Sequence, residues 1–240
     1  MEHRNVVLIK ADIKKSITVA KPSRLEFQHD RPDSLGRGEE GQVGHVRASI
    51  RERSVGGLAF KEYHSEGRAA HALKSYVQLK KAGLPVPSTF RLVKEGERYS
   101  GILMTDLTKD WNDVLITSNQ TKRFVIGNVF RNNSSTVKSL AEYDIENPER
   151  LQDLKARLSV IAITAAKHGI EFNAHDVLSA IYHADGNLEF IISDMGNVHL
   201  NSELPLQDLE SRNTSSANGI LLMISEAKAI AKEMTNQVTR

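Results

Sequence analysis

Three glycines, one lysine and two aspartates are the residues of this 240-residue chain whose types and spacing can do chemistry. Gly36, Gly38 and Gly41 stand in "LGRGEEGQVGHV", with Val43 two residues further on. Glycine takes positive φ without a steric penalty and lets a ligand approach the backbone closely. The stretch therefore reads either as an ordinary hairpin turn or as a loop built to lie against phosphates. Lys61 follows in "GLAFKEY", two residues after the small Ala59. A lysine beside phosphates acts as a point charge on their oxygens, whereas a strand lysine without such a partner is simply solvated. Downstream, "AHDVLSAIYHADGNLEFIISDMGNV" carries Asp176 and, 18 residues on, Asp194 at the head of an Asp-Met-Gly triplet.

The elements that must position these residues differ between the two halves. "NVVLIKADI", "KSITVA", "QVGHVRASIR", "GLAFKEY", "TFRLV" and "RYSGILMTDL" carry β-branched and aromatic residues between turn clusters and predict strands. Among them, "SEGRAAHALKSYVQLKKAGLPVP" predicts a helix, with Ala69, Leu73, Tyr76, Val77 and Lys80 at helical spacing, Ser65 as N-cap, and Gly83 and Pro85 as the stop. The polar "RNNSSTVK" reads as a mobile loop. In "NPERLQDLKARLSVIAITAAKHGI", Asn147 caps and Pro148 suits the first helical position; Leu151, Leu154, Leu158, Ile161 and Ala165 make one apolar face that ends at Gly169. "LEFIIS" reads as a strand, and "SANGILLMISEAKAIAKEM" as a closing helix with Leu221, Leu222, Ile224 and Ile230 inward. A β-rich front and a helical back predict two lobes, divided into residues 1–107 and 108–240.

Composition excludes several classes. There is no cysteine, which removes disulfide frameworks, thiolate catalysis and cysteine-ligated zinc. The 32 basic and 30 acidic residues are interspersed, giving a formal charge of +2, and aromatics make up 5%; neither a basic footprint nor a stacking surface for nucleic acid is evident. Runs such as "NVVLI" and "GILLMI" are too short to span a bilayer, and the N-terminus lacks a secretory pattern, so a cytoplasmic location without membrane partners is expected.

In order and spacing the motifs resemble the protein kinase-like superfamily. Gly36, Gly38, Gly41 and Val43 match G-x-G-x-x-G-x-V, "AFK" is similar to its Ala-x-Lys strand, and "DMG" is similar to Asp-Phe-Gly. "KKAGLPVPSTFRL" is similar to the linker of the RIO-type and aminoglycoside-phosphotransferase branches. The resemblance covers about residues 30 to 200. It implies an α+β, two-lobed protein-kinase-like fold with a β-rich N-lobe and a reduced helical C-lobe, and it implies ATP and Mg²⁺ as cofactors. The glycine loop would cover the triphosphate and Lys61 would contact its inner phosphates. "GILMTDL", around Met104, would be the hinge segment that offers backbone groups to adenine, and Val43 and Ala59 would be among the residues that bind the cofactor. Asp194 would bind Mg²⁺, and Asp176 would accept or orient the proton of the acceptor.

The chain also departs from the family pattern. The asparagine expected five residues after Asp176 is Ile181, which cannot bind a metal, so either one Mg²⁺ suffices or Ser179 supplies an oxygen. The histidine expected two before Asp176 is Ala174, with His175 displaced by one and read as a packing or solvent-facing residue. The glutamate partner of Lys61 is expected near Ala72; Glu66 takes that part or merely complements the helix N-terminus, and Glu62 is a strand neighbour exposed by alternation. Only 44 residues follow "DMG", and there is no Ala-Pro-Glu triplet, which resembles compact kinases, bacterial effector kinases among them. The resemblance thus implies a serine/threonine protein kinase with a protein substrate, with room for an activating partner and, for an effector, delivery to a host cytosol. The alternatives are a small-molecule kinase of the aminoglycoside-phosphotransferase type and a catalytically dead pseudokinase acting as a binding module. A nucleic-acid module ranks last.

Overall fold

The structure, a computed structural model, describes residues 2–15, 17–27, 36–38, 41–50, 53–107, 113–118, 124–127 and 134–238. The chain divides into two compact units, one of residues 1–81 and 87–109, the other of 82–86 and 110–240.

The first unit is built from β1 (Glu2–Asp12), β2 (Ile17–Phe27), β3 (Gly36–Gly38), β4 (Gly41–Ile50), β5 (Arg53–Tyr63), α1 (Glu66–Lys81), β6 (Phe90–Glu95) and β7 (Arg98–Thr105). The strands are antiparallel in the order β2-β1-β6-β7-β5-β4-β3, and β2 also pairs with β4, so six of them close into a barrel. Closure follows from two features of the chain. The β1–β2 hairpin is long enough to present a free edge at Ser23 to Phe27, which pairs with Val46 to Ile50 of β4. The β4–β5 ladder slips between Val46 and Ala48, where the Gly56-Gly57 pair gives β5 one extra residue and Gly57 takes φ 67. Such a bulge bends its strand and increases the local twist, as closing a sheet requires.

Alternation sorts the side chains of the barrel. Val6, Leu8, Leu25, Val46, Ala48, Leu58, Phe60, Val93 and Leu103 form the buried core inside it. Burying a large apolar side chain of this kind contributes about 1.5–3 kcal/mol before the entropy of ordering it. Two residues before Val6, Arg4 has the same inward parity, as does Glu62 two after Phe60, and Arg4 Nη1 lies 3.1 Å from Glu62 Oε1 and 3.6 Å from Glu95 Oε1. Glu62 is therefore a half-exposed partner of Arg4 rather than a solvated strand neighbour. The outer face of β6 and β7 is covered by α1, whose Ala69, Ala72, Tyr76 and Leu79 are buried, with Tyr76 stacked on Phe90 at 4.5 Å.

The expected two-lobed protein-kinase-like fold, with a β-rich N-lobe and a reduced helical C-lobe, is corrected by this closure. The front unit is a closed six-strand antiparallel barrel, because the first 27 residues, to which the motifs assign no part, supply two of its staves. The back unit is not simply helical either. Its elements are β8 (Val114–Ser118), β9 (Phe124–Gly127), α2 (Ser134–Glu142), α3 (Pro148–Lys167), β10 (Ile170–Phe172), α4 (Ala174–Val177), β11 (Leu178–Tyr182), β12 (Leu188–Ile192), β13 (Val198–Leu200) and α5 (Leu206–Val238). β12-β11-β8-β9 form a four-stranded sheet and β10 pairs with β13.

Local signals account for the helices of this unit. Asn147 Oδ1 accepts from the Arg150 N–H at 3.1 Å, Pro148 opens α3, and Gly169 follows its end at φ 65. Leu154, Leu158, Ile161, Ala162, Ala165 and Ala166 are its buried face, packed against α5. Two expectations fail. Much of "RNNSSTVK" lies in α2 rather than in a loop, residues 131–133 being outside the described set. Leu222 is 65% exposed, because the face that α5 buries runs through Leu209, Asn213, Ala217, Ile220, Met223, Ile224, Ala227 and Ala231, and Leu222 falls outside it. Asn213 is the polar member of that face: its Oδ1 accepts from the Phe172 N–H at 3.3 Å, and its Nδ2 donates to the carbonyls of Ile170 at 2.8 Å and Ala162 at 3.4 Å. Among the described residues no helix is long and apolar enough to cross a membrane.

At one end of the four-stranded sheet, His183 Nδ1 faces Asp113 Oδ2 at 2.9 Å and Nε2 faces Glu189 Oε2 at 3.2 Å. Partial burial opposes protonation of this ring, but the hydrogen bonds and charges of Asp113 and Glu189 outweigh it and hold His183 above its ordinary value. Only the protonated imidazole donates from both nitrogens.

Two measurements check these accounts. A Cβ at Gly101 would collide with the Lys61 carbonyl and the Phe60 ring across the β5–β7 ladder. Gly101→Ala is therefore expected to lower unfolding free energy by about 2 kcal/mol in urea denaturation, the usual cost of overpacking. His183, whose folded pKa is raised, contributes stability that is fully present below about 6.5, its ordinary value, and is lost as pH rises through the folded value. The thermal midpoint should fall from about pH 6 to about pH 8 in the parent chain, and His183→Gln should flatten that slope.

Candidate functional site

In the first unit, antiparallel register gathers residues distant in the chain onto the outer face of the barrel. Val43 pairs with Lys61, and Lys61 with Ile102; His45 pairs with Ala59, and Ala59 with Met104. Cross-strand partners share a face, so Val43, Ala59, Lys61 and Met104 occupy two adjacent rungs on the side opposite the packed interior. Ala59 is 1% exposed, while Val43, Lys61 and Met104 are half-buried. The Lys61 Nζ sits 4.9 Å from the centre of the Tyr63 ring on the same face.

The glycine stretch forms a tight hairpin at the end of this ladder. Gly36 faces Val43 and Gly38 faces Gly41; Glu39 and Glu40, which join them, lie outside the described residues. Glycine at Gly36, Gly38 and Gly41 leaves these positions of the strand ends without side chains. Glu66 opens α1, where a carboxylate complements the helix N-terminus, and its Oε1 lies 3.9 Å from Arg98 Nε. Ala72, near which the motif resemblance places the glutamate, is fully buried.

In the second unit, the two aspartates flank the open end of one hairpin. β11 and β12 pair with Leu178 opposite Ile192; Asp176 lies in α4, just before β11, and Asp194 lies two residues after the end of β12, before the turn at Met195–Asn197. The Val177 carbonyl ties its open end, accepting from the Ser193 N–H at 2.8 Å, the Asp194 N–H at 3.3 Å and the Ser193 hydroxyl at 3.4 Å. Asp194 Oδ1 in turn accepts from the Gly196 N–H at 3.2 Å, which turns the chain through Met195–Asn197.

Asp176 is exposed at the last turn of α4 and is held by Asn173, the residue that caps that helix. Asn173 Nδ2 donates to Asp176 Oδ2 at 2.7 Å, while its Oδ1 accepts from the His175 N–H and from the Ser216 hydroxyl, each at 3.3 Å. Ser216 Oγ also accepts from the Ala174 N–H at 2.6 Å, which anchors the short helix to α5. The His175 ring packs on Gly219 of α5, where any Cβ would overlap it, in keeping with a packing role.

Ser179 and Ile181 face the other way. Ser179 is 1% exposed, with its hydroxyl 2.7 Å from that of Ser193, and Ile181 is 6% exposed, paired with Glu189 and Leu115 in the sheet. The hydroxyl of Ser179 thus braces the residue before Asp194. Ile181 is a core strand residue.

The sequence analysis passed over Asn173, Ser193 and Ser216. An N-cap signal at Asn173 is legible in "FNAHDV", since asparagine before a short helical turn satisfies an orphan N–H. Ser193 and Ser216 carry no such signal, because their partners come from other elements. Mg²⁺ prefers hard oxygen donors and takes one or two carboxylates together with phosphate oxygens and water, a requirement that Asp194 fits by its chemistry.

Asn173 both caps α4 and orients Asp176. Asn173→Ala is expected to cost about 1 kcal/mol of stability, as for other N-caps, read by chemical denaturation. Asn173→Ser should recover the cap but not the bond to Asp176, since a serine lacks the amide donor.

No family model matches the chain, and no curated protein matches it. Among solved structures, the aerobactin synthetase IucC from a hypervirulent pathotype of Klebsiella pneumoniae is similar at a TM-score of 0.38 and 13% identity, over 95% of this chain and 49% of that one. The chain thus spans about half the length of that synthetase.

Proposed function

We propose that this chain is an ATP- and Mg²⁺-dependent phosphotransferase with an alcohol group as acceptor, a serine or threonine of a protein in the leading reading. The observation that carries it is the pair of rungs on the outer barrel face, which sets Lys61 beside Val43 and next to Ala59 and Met104 at the mouth of a glycine hairpin. Phosphoryl transfer asks little covalent chemistry of a protein and much positioning and charge neutralisation. It is also not the property of one architecture, since activity resides in sites rather than in folds. The closed barrel therefore leaves the reading open.

Each residue has a part in this proposal. The backbone of the glycine hairpin borders the triphosphate, Lys61 places a positive charge on its oxygens, and Val43, Ala59 and Met104 offer the base a small, half-buried surface. Mg²⁺ at Asp194 neutralises and orients phosphate oxygens when bound. Asp176, exposed and oriented by Asn173, accepts or directs the proton of the attacking hydroxyl. Glu66 is a helix-terminal carboxylate with no part in the transfer.

A second reading is favoured by Ile181. As a buried strand residue it offers no second metal ligand, and Ser179 is bonded to Ser193, so the chain can be a nucleotide-binding module that performs no transfer.

Incubation with γ-labelled ATP and Mg²⁺, with and without a cell lysate, separates these outcomes. Label on protein supports the leading reading, label on a small molecule moves the acceptor to that class, and ATP binding without label leaves the binding module. Lys61→Ala should weaken ATP binding with little change in the thermal transition. Asp194→Ala should abolish the tightening of ATP binding by Mg²⁺. Asp176→Ala should keep that tightening and lose about 10²–10⁴ in transfer rate, the usual contribution of an acid–base group. An Asp176 variant with the parental rate would overturn its assignment.

A further inference from the structure

The β1–β2 hairpin runs on past the barrel it helps to close. β1 meets β6 only at Val7 to Ile9, and β2 meets β4 only from Ser23 to Phe27, so Lys10 to Asp12 and Ile17 to Val19 pair with each other and with no other described strand. This free part carries Lys10, Lys14, Lys15 and Lys21 against one carboxylate, Asp12. That carboxylate is engaged by the turn, its Oδ1 accepting from the N–H groups of Lys14 at 3.2 Å and Lys15 at 3.3 Å. Among the described residues none of the four lysines makes an ion pair. Lys10, Lys14 and Lys15 are exposed and Lys21 is half-buried.

Register decides which of these residues share a face. Leu8 pairs with Lys21 and Lys10 with Val19, and cross-strand partners point the same way. The face that supplies Leu8 and Leu25 to the core therefore continues beyond the barrel as Lys10, Val19 and Lys21. Lys10 and Lys21 are diagonal neighbours there, and Val19, beside both, is 36% exposed. Like charges so close work against the hairpin. Lysines and a proline along a free edge also keep other strands off it, which accounts for Lys10, Lys21 and Pro22. It does not account for Lys14 and Lys15, which stand in the turn where there is no edge to guard, or for an exposed valine among the charges.

We propose that this free part of the β1–β2 hairpin attaches the chain to the surface of an anionic lipid bilayer. The four ammonium groups lie in the headgroup layer and Val19 rests at its apolar boundary, since lysine stems can cover apolar matter while their charges stay in the polar layer. A nucleic acid is the poorer fit. From Leu8 to Pro22 there is no arginine to fork a phosphate or a base edge and no aromatic ring to stack on a base. The attachment is weak, reversible and salt-sensitive, as a single basic patch with a small apolar contact implies. It needs no spanning helix and is independent of the phosphotransfer reading.

The test is cosedimentation of the full chain with vesicles of phosphatidylcholine alone or with about 30% phosphatidylglycerol, alongside the thermal transition. The parent chain should bind the anionic vesicles, release them as salt is raised, and ignore the neutral ones. Lys14→Ala with Lys15→Ala, which leaves the backbone N–H groups that Asp12 holds, should weaken binding about 25-fold, about fivefold for each lysine. Val19→Thr, close in shape but polar, should weaken it about threefold, and neither variant should move the thermal midpoint. Lys74→Ala with Lys81→Ala, which removes two exposed lysines of α1, should stay within about twofold of the parent and so separate place from net charge. Equal binding to neutral vesicles, binding to neither, an unaffected Lys14 and Lys15 variant, or an α1 variant that loses as much would overturn the proposal. So would competition by soluble glycerophosphoglycerol at the phosphate concentration of the vesicles, which would mean a free-phosphate site, or tighter binding to duplex DNA at the same salt.

Discussion

The pairing of β2 with β4 is the contact on which the first unit depends. Without it, the hairpin of β1 and β2 would leave a row of unpaired backbone groups at its outer edge, and Val6, Leu8 and Leu25 would have no opposite wall. With it, the sheet has one apolar interior and one outer face, and alternation sorts the described residues of the six strands to one or the other outside the bulge. Closure demands local bending, which the Gly56-Gly57 bulge supplies, and close approach of β5 to β7, which Gly101 permits. The candidate nucleotide residues inherit their common face from this sorting, since Val43, Ala59, Lys61 and Met104 all have outward parity.

The second unit depends on a smaller device. One carbonyl, that of Val177, collects the N–H groups of Ser193 and Asp194 and the Ser193 hydroxyl, and so joins the two ends of the β11–β12 hairpin. Asp176 and Asp194 lie at the two ends of that hairpin. The buried amide of Asn213 plays a comparable part behind them, bonding backbone groups of α3 and β10 from α5. A buried amide with its donors and acceptor satisfied is tolerated in an apolar core, and it fixes the register of the elements it joins.

These two devices show how short motifs can lie in regular local structure while the fold they imply is not formed. The glycine hairpin, the lysine strand and the hairpin flanked by the two aspartates are local or nearly local features. The closed barrel and the four-stranded sheet of the second unit are not. The proposed phosphotransfer chemistry rests on the first kind of feature. Ile181 shows where the motif resemblance stops, because its side chain carries no ligating atom and its position is a buried rung of β11.

The sequence by itself determined the strands of the front half, whose alternation is a period-two signal. It also determined α1 and α3, whose caps and stops are written within a few residues, and the strand in "LEFIIS". Such features depend on bonds between near neighbours, so a local reading suffices. Only the tertiary structure decided that β2 meets β4, that Glu62 answers Arg4, that the buried face of α5 leaves Leu222 outward, and that His45 is buried against Asp106. Each of these joins residues far apart in the chain or depends on the phase of a long helix, and its free energy comes from a partner that no short stretch of sequence contains.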